Sequence, residues 1–286
     1  MDIGIGLPAT IPGVERDSVL EWSRRSDQAG FSSLGTIGRT VYPNWEELIS
    51  LAAAAAVTER IRLVTSILLA PLRNAAMLAK QAATLDTLSN GRLVLGLAVG
   101  AREDDYATAG VDLHRRGQIF ERQLEEMTSI WSGEPKGVAG AVGPPSPSGR
   151  PGLLIGGTAD VAFERAARFG DGYIAGGGGP DPFAEGAAKM DAAWQRAGRE
   201  GTPAKKGLTY FALGSSAEED ARRYLGDYYG WLGDEIAGMI IGSAATTPEA
   251  VKQQISAFEE KGCDELILFP CADDPTQVEL LAEAAL

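Results

Sequence analysis

The chain has 286 residues, 44% of them hydrophobic and 23% charged, and its 26 Lys and Arg against 39 Asp and Glu leave a formal net charge of -13. That balance repels nucleic acid and anionic membrane surfaces, while the apolar content is ample for a large core. The length suits one (β/α)8 barrel, a fold of about 250 residues that often carries insertions, so a single domain over residues 1–286 is expected. The stretch MDIGIGLPAT has neither the basic region nor the apolar core of a signal peptide, and no apolar run approaches a membrane span. Cys263 and Cys271 make neither a disulfide framework nor a metal pattern, which suits a reducing compartment; a cytoplasmic protein with buried thiols is expected.

Asp2 to Leu7 reads as a strand and Val14 to Ala29 as an amphipathic helix stopped by Gly30. Phe31 to Gly35 is a second strand, and a loop with Arg39 and Tyr42 leads to an Ala- and Leu-rich helix over Glu46 to Val57. Ile61 to Leu69 is a branched apolar run closed by Pro71, as in a strand buried on both faces. Leu78, Ala82 and Leu85 then recur at helical spacing until Asn90-Gly91 supplies a left-handed stop. Leu93 to Leu97 is the next strand and Gln118 to Trp131 a helix. Residues 132–151 are too rich in Gly and Pro for a regular element and form an insertion loop.

The alternation resumes with strands at Leu153 to Gly156, Gly172 to Ala175 and Leu208 to Leu213, separated by helices at Thr158 to Phe169 and Pro182 to Arg199. Ser216 and Glu219 have the spacing of a capping box. Residues 227–246 are aromatic and Gly-bearing, a candidate lid over the barrel mouth. A helix from Thr247-Pro248 to near Lys261, a strand over Glu265 to Phe269 and a final helix from Pro275 close the chain. Eight strands, starting at residues 2, 31, 61, 92, 153, 172, 208 and 265 and each followed by a helix, predict a (β/α)8 TIM barrel with its insertion loops at the carboxyl-terminal face. An open doubly wound sheet is the alternative, but no GxGxxG fingerprint is present.

Reacting side chains of barrel enzymes usually project from the carboxyl ends of strands. Here those ends are Leu7, Gly35, Ile67, Leu97, Ile155, Ala175, Ala212 and Phe269, none an acid, base or nucleophile. Lys205 and Lys206 precede their expected strand, and the sole histidine, His114, leaves a multi-His metal site without ligands. No catalytic residue and no metal site is assigned. A mouth of small residues suits a cofactor that carries the reactive atom, and a flat isoalloxazine fits best. Gly156-Gly157-Thr158 before a helix start, with Gly176, Gly177 and Gly178 beside it, has the form of a phosphate site, although glycine at such turns is also common for steric reasons alone.

TSILLAP, AKQAATLDTLSNGRLVLGLAVGAREDDYATAG and RGQIFERQLEEMTSIW follow, in order, the pattern of the luciferase-like monooxygenase superfamily. The chain resembles its members, which include bacterial luciferase and deazaflavin-dependent dehydrogenases, most clearly over residues 44–132 and again at LLIGGTADVAFERAARFGDGYIAGG and CDELILFPCADDPTQVELLAEA. The resemblance implies a non-prolyl cis peptide at Ser66-Ile67 behind a flavin ring. It also implies contacts to ring and ribityl chain from Ala98, Val99 and Gly100, and a phosphate region at Gly156, Gly157, Thr158 and Gly176 to Gly178.

The chain departs from that pattern at two places. Deazaflavin-dependent members commonly carry an Asp-His pair where this sequence has Gly38 and Arg39, and many members have a Trp where it has Ala101. Arg102 is either a phosphate or substrate contact or a solvated charge; Asp104 and Asp105 are expected to pair with Arg115 or Arg116, and His114 to lie on the surface. The resemblance implies reduced FMN with O2 and a small organic substrate, a separate flavin reductase and a homodimer. A deazaflavin (F420) hydride transferase and a flavin-binding protein without turnover are the alternatives.

Overall fold

The computed structural model describes residues 1–286. Nine strands, β1 (Asp2–Gly6), β2 (Ser33–Thr36), β3 (Arg62–Thr65), β4 (Leu68–Leu69), β5 (Leu93–Ala98), β6 (Gly152–Ile155), β7 (Gly172–Ile174), β8 (Ala204–Phe211) and β9 (Glu265–Pro270), pair in parallel in one sheet. The order β3-β2-β1-β9-β8-β7-β6-β5-β4, with β3 also pairing β5, closes the sheet on itself. β3 and β4 are one stave interrupted at the cis peptide Ser66-Ile67, so the barrel is the expected (β/α)8 barrel of eight staves.

Eight helices form the outer ring: α1 (Arg16–Ala29), α2 (Glu47–Ala55), α3 (Ala75–Leu88), α5 (Arg116–Trp131), α6 (Asp160–Phe169), α7 (Pro180–Arg196), α10 (Pro248–Glu260) and α11 (Thr276–Ala285). Three more, α4 (Glu103–Ala109), α8 (Ala217–Tyr229) and α9 (Asp234–Gly242), are insertions at the carboxyl face. Strand residues alternate between the two layers. Ile3, Ile5, Leu34, Leu63, Leu95 and Leu268 pack outward against the helices, in one apolar cluster with Trp22, Leu78 and Met127. Val64, Leu154, Ile174, Leu208 and Ile267 fill the interior, with Tyr210 and Phe269 above them. Glycine permits the tightest inward approaches: a Cβ on Gly96 would meet the Thr65 carbonyl at 2.1 Å, and one on Gly6 would meet the Phe269 ring at 2.3 Å.

Three expectations need correction. β8 begins at Ala204, so Lys205 and Lys206 lie inside the strand at its amino end, where Lys206 points inward onto Glu265. Residues 132–151 join the end of α5 to the start of β6, so this loop covers the amino face of the barrel rather than the carboxyl face, with Pro147 close to Gly91. Ser216 precedes α8 without capping it; its hydroxyl donates to Asp220 instead, at 2.7 Å. Residues 227–246 belong to an insertion after β8: the strand leads out into α8, a turn over Gly230–Leu232 and α9, and Ala245 returns to pair with Phe211.

Candidate active site

A cavity of about 900 Å³ opens at the carboxyl ends of β4 to β7, within the size range of ligand sites. Ile67 forms part of its floor, packed so closely on Gly156 that a Cβ there would meet Ile67 Cδ1 at 2.3 Å. The Ser66–Ile67 segment is fixed from its neighbours: the Ser66 amide donates to the Thr36 carbonyl (2.6 Å), the Gly38 amide to the Ile67 carbonyl (3.3 Å), and the Thr65 hydroxyl to the Gly96 carbonyl (2.8 Å). Ala98, Val99, Gly100 and Ala101 make one wall. That wall is held by the buried Tyr106, whose hydroxyl donates to the Val99 carbonyl and whose pKa burial raises to about 12.

Opposite stand Gly156, Gly157, Thr158, Gly176 and Gly177. The amides of Gly157, Thr158 and Ala159 and those of Gly176, Gly177 and Gly178 donate to no acceptor within the chain, and Ala159 caps α6 without a side-chain bond. These open donors converge at a helix start, where the helix dipole also favours an anion. Gly176 faces open space, with nothing within 4 Å of a Cβ built on it. Of the residues singled out from sequence, Gly178 and Ser66 do not line the cavity. Ser66 lies just beneath it, 3% exposed, its hydroxyl without a partner.

Several lining residues escape the sequence reading. His114, Arg116 and Arg165 give one edge of the cavity a basic character. His114 is exposed, as expected, yet also faces the cavity. Arg165 is committed, donating to Glu121 at 2.7 Å and to the Gly117 carbonyl at 2.9 Å. Arg116 bonds only the Leu113 carbonyl, at 2.8 Å, and pairs with no carboxylate. Phe120, Pro182, Phe183, Trp231 and Leu232 supply apolar wall, the last two from the lid turn.

The other half of the mouth is filled. Tyr210 packs on Phe269, Tyr224, Tyr228 and Tyr229 cluster with Tyr210, and burial pushes all four phenols above their ordinary pKa. Burial likewise raises the Cys271 thiol beside them. Asp104 and Asp105 do not reach Arg115 or Arg116. Asp104 lies 3.6 Å from Arg39, and Asp105, fully buried, accepts the amides of Thr40 (2.9 Å) and Val41 (2.7 Å), because the loop after β2 folds over the start of α4. Arg39 turns from the large cavity to stack on Tyr42 and Tyr228. A smaller cleft of about 360 Å³ beside it is lined by Glu46, Glu47 and Arg73, which satisfy one another. No group of three or more His, Cys, Asp and Glu is arranged to hold a metal ion.

A closed barrel whose strand ends frame an open, largely apolar cavity with bare amides at one end has the form of a barrel with a candidate ligand site in its carboxyl-face loops. The family described as luciferase-like monooxygenase matches residues 1–266, and the chain belongs to that family. Among curated proteins, the uncharacterized protein Rv0940c of Mycobacterium tuberculosis is 32% identical over 164 residues, 55% of this chain; the match spans 57% of that relative's length. A second uncharacterized protein of that organism, Rv0953c, is 34% identical over 164 residues, covering 54% of this chain and 58% of the relative.

Solved structures share the fold along nearly the whole chain. The monooxygenase RslO1 from Streptomyces bottropensis superposes with a TM-score of 0.78 at 22% identity, covering 100% of this chain and 98% of that one. An F420-dependent secondary alcohol dehydrogenase superposes with 0.81 at 18%, covering 99% and 97%. The oxygenating constituent of 3,6-diketocamphane monooxygenase from Pseudomonas putida, in complex with FMN, gives 0.71 at 18%, covering 99% and 97%. What these structures share with the chain is the fold.

Proposed function

We propose that this chain is a flavin-dependent monooxygenase that takes reduced FMN from a separate flavin reductase and uses O2 to oxidise a small organic substrate. The observation that carries the reading is the division of labour in the large cavity: open amides and an unpaired Arg116 at one end, small and apolar residues along the rest. Those groups fit FMN. The amides of Gly157 and Thr158, the Thr158 hydroxyl, the Gly176 to Gly178 strand end and Arg116 would hold the phosphate; Ala98, Val99 and Gly100 would flank the ribityl chain, and Ile67 would back the ring, with Ser66 beneath. Bound reduced FMN supplies the electrons that activate O2. The chain's own part is to position the ring and, through Trp231 and Leu232, to keep water from it. Its RslO1 and diketocamphane neighbours, named as monooxygenases, support the same reading.

Hydride transfer with F420 is the second reading. The basic edge at His114, Arg116 and Arg165 suits an anionic tail longer than one phosphate. Against it, the positions of the Asp-His pair common in deazaflavin-dependent members hold Gly38 and Arg39, and Arg39 stacks on Tyr42 and Tyr228 instead of facing the large cavity. The groove between α2 and α3, with exposed Ile49, Met77 and Leu88, is the face on which a second copy would form the proposed homodimer. No helix is long and apolar enough to cross a membrane, and the buried free thiols suit the cytoplasm.

Oxygen uptake by the purified protein with reduced FMN, across a panel of small organic compounds, tests the reading. Uptake that requires both FMN and an organic compound supports monooxygenation. Hydride transfer to or from the deazaflavin with no oxygen use replaces it with the second reading, and flavin binding with neither activity leaves a binding protein.

A further inference from the structure

Of the five tryptophans only Trp231 is exposed, at 45%, and it lines the large cavity. Behind it, aromatic rings and a guanidinium run in contact to the loop after β2. Arg102 lies between the rings of Trp231 and Tyr228, its guanidinium carbon 5.2 Å from each centroid. Tyr228 is fully buried and meets the Tyr42 ring edge-on, with centroids 5.1 Å apart. Tyr42 is half-buried, and its hydroxyl donates to the exposed carboxylate of Asp227. One line of groups therefore joins the cavity wall to a phenol that has a carboxylate at the surface.

Packing accounts for the contact of the rings but not for the difference between the two ends of the line. Among the clustered phenols, Tyr210 and Tyr229 bond each other, Tyr224 donates to the Thr10 hydroxyl, and the Tyr228 hydroxyl has no partner. Tyr42 alone donates to a carboxylate. The distinction matters once an electron is removed. A ring that keeps its proton becomes a cation, and Arg102 beside Trp231 and Tyr228, with Arg39 beside Tyr228 and Tyr42, repels it. Tyr42 escapes that penalty, because its proton can pass to Asp227 and leave a neutral radical. Charge therefore drives an oxidising equivalent from Trp231 towards Tyr42.

We propose that Trp231, Tyr228 and Tyr42 form a relay that carries oxidising equivalents out of the cavity to the surface, where a soluble thiol quenches them. The oxidant is an organic peroxyl radical, the by-product of O2 meeting a carbon radical in the cavity; only this source rests on the reading of the cavity as a site of O2 chemistry. The peroxyl radical takes one electron from Trp231 and becomes a peroxide anion. An electron from Tyr42, crossing by way of Tyr228, refills Trp231, and the Tyr42 proton passes to Asp227. The thiol then gives Tyr42 a hydrogen atom and leaves as a thiyl radical, while Asp227 returns its proton through water to the peroxide. The sum converts peroxyl radical and thiol to hydroperoxide and thiyl radical, and no side chain of the protein is consumed.

The test needs no flavin. Pulse radiolysis of the full chain in azide solution makes azide radicals, which oxidise accessible tryptophan, and the transient absorption spectrum separates tryptophanyl from tyrosyl radicals. In the wild-type protein the first is expected to convert to the second in a step whose rate does not depend on protein concentration. Trp231→Phe and Tyr42→Phe should each remove that conversion. Asp227→Asn keeps an acceptor for the Tyr42 hydroxyl but takes away the base, and should slow the conversion about a hundredfold, the low end of what a positioned proton acceptor supplies. Tyr210→Phe, in the same cluster but off the line, should leave the rate unchanged. All four proteins are expected to keep the wild-type melting temperature, so that a lost conversion is not a lost fold. No conversion in the wild type, a conversion that survives Tyr42→Phe or Asp227→Asn at the wild-type rate, or an equal loss in Tyr210→Phe makes the cluster packing alone and overturns the proposal. Because FMN is absent, the cofactor reading stands or falls separately by its own titration.

Discussion

At the amino end of the barrel, Lys206, Ser32 and Arg62 all converge on the carboxylate of Glu265, 2% exposed, and Arg62 also holds Asp2 at 2.7 Å. At the carboxyl end, the amides of Gly157 to Ala159, the Ser66 and Tyr228 hydroxyls and the Arg102 Nε find no acceptor in the chain. The same barrel therefore pairs the Glu265 carboxylate with two cations at one end, where Arg62 Nε and the Ser33 hydroxyl are left without a partner, and leaves a run of backbone amides open at the other. Breaking a buried ion pair strands a charge and costs several kcal/mol, whereas the open amides of Thr158, Ala159 and Gly176 to Gly178 belong to exposed residues that water can reach, so the amino end bears on stability and the carboxyl end on binding.

Breaking the closed end should have the largest effect. Lys206→Met strands the buried Glu265 and is expected to lower the unfolding free energy by about 3 to 5 kcal/mol in chemical denaturation, while FMN affinity of the folded protein stays as it was. A loss of flavin binding with unchanged stability would reverse the roles of the two ends. Burial alone would raise the Glu265 carboxyl, but the Lys206 charge and hydrogen bond, with Ser32 and Arg62, hold it below its ordinary value. A carboxylate depressed in the folded state adds stability above its unfolded pKa, about 4.3, and loses it as pH falls through the folded value. The melting temperature should therefore drop on acidification below about pH 4, with a shallower slope in the Lys206→Met protein.

At the open end the effects should fall on binding. Arg116→Ala is expected to weaken FMN binding by about 1.5 to 3 kcal/mol, the range of a charge-assisted bond, with little change in melting temperature. Thr158→Ala should cost on the order of 1 to 2 kcal/mol in the same titration if its hydroxyl meets the phosphate. An unchanged dissociation constant in both would move the phosphate away from α6.

The barrel was legible because its strands are buried on both faces and read as apolar runs, with helices between them at a different period. The cavity wall at Ala98 to Gly100 and Gly156 to Thr158 was legible for the related reason that small residues at strand ends leave backbone exposed. What escaped depends on direction and distance. Arg116 and Arg165 are polar helix residues whose facing local spacing does not reveal, although Arg116 and Phe120 share one face at i, i+4 beyond a strand end. The inward alternation Glu265, Ile267, Phe269 and Lys206, Leu208, Tyr210 was present in the sequence and predicts the buried pair once β8 is extended to Ala204. The composition of the Gly- and Pro-rich loop carries no direction; its position after a helix and before a strand places it at the amino face. The pairings of Asp104 and Asp105 with the loop after β2 join segments about 65 residues apart, which no local pattern encodes.

Equilibrium titration of FMN into the purified chain, set beside Gly176→Val, tests the central claim most directly, because Gly176 lines the cavity with free space over its Cα. The account predicts one FMN per wild-type chain and a loss of binding in Gly176→Val with the melting temperature preserved. Equal flavin binding by both proteins, or none by either flavin or deazaflavin, would contradict it.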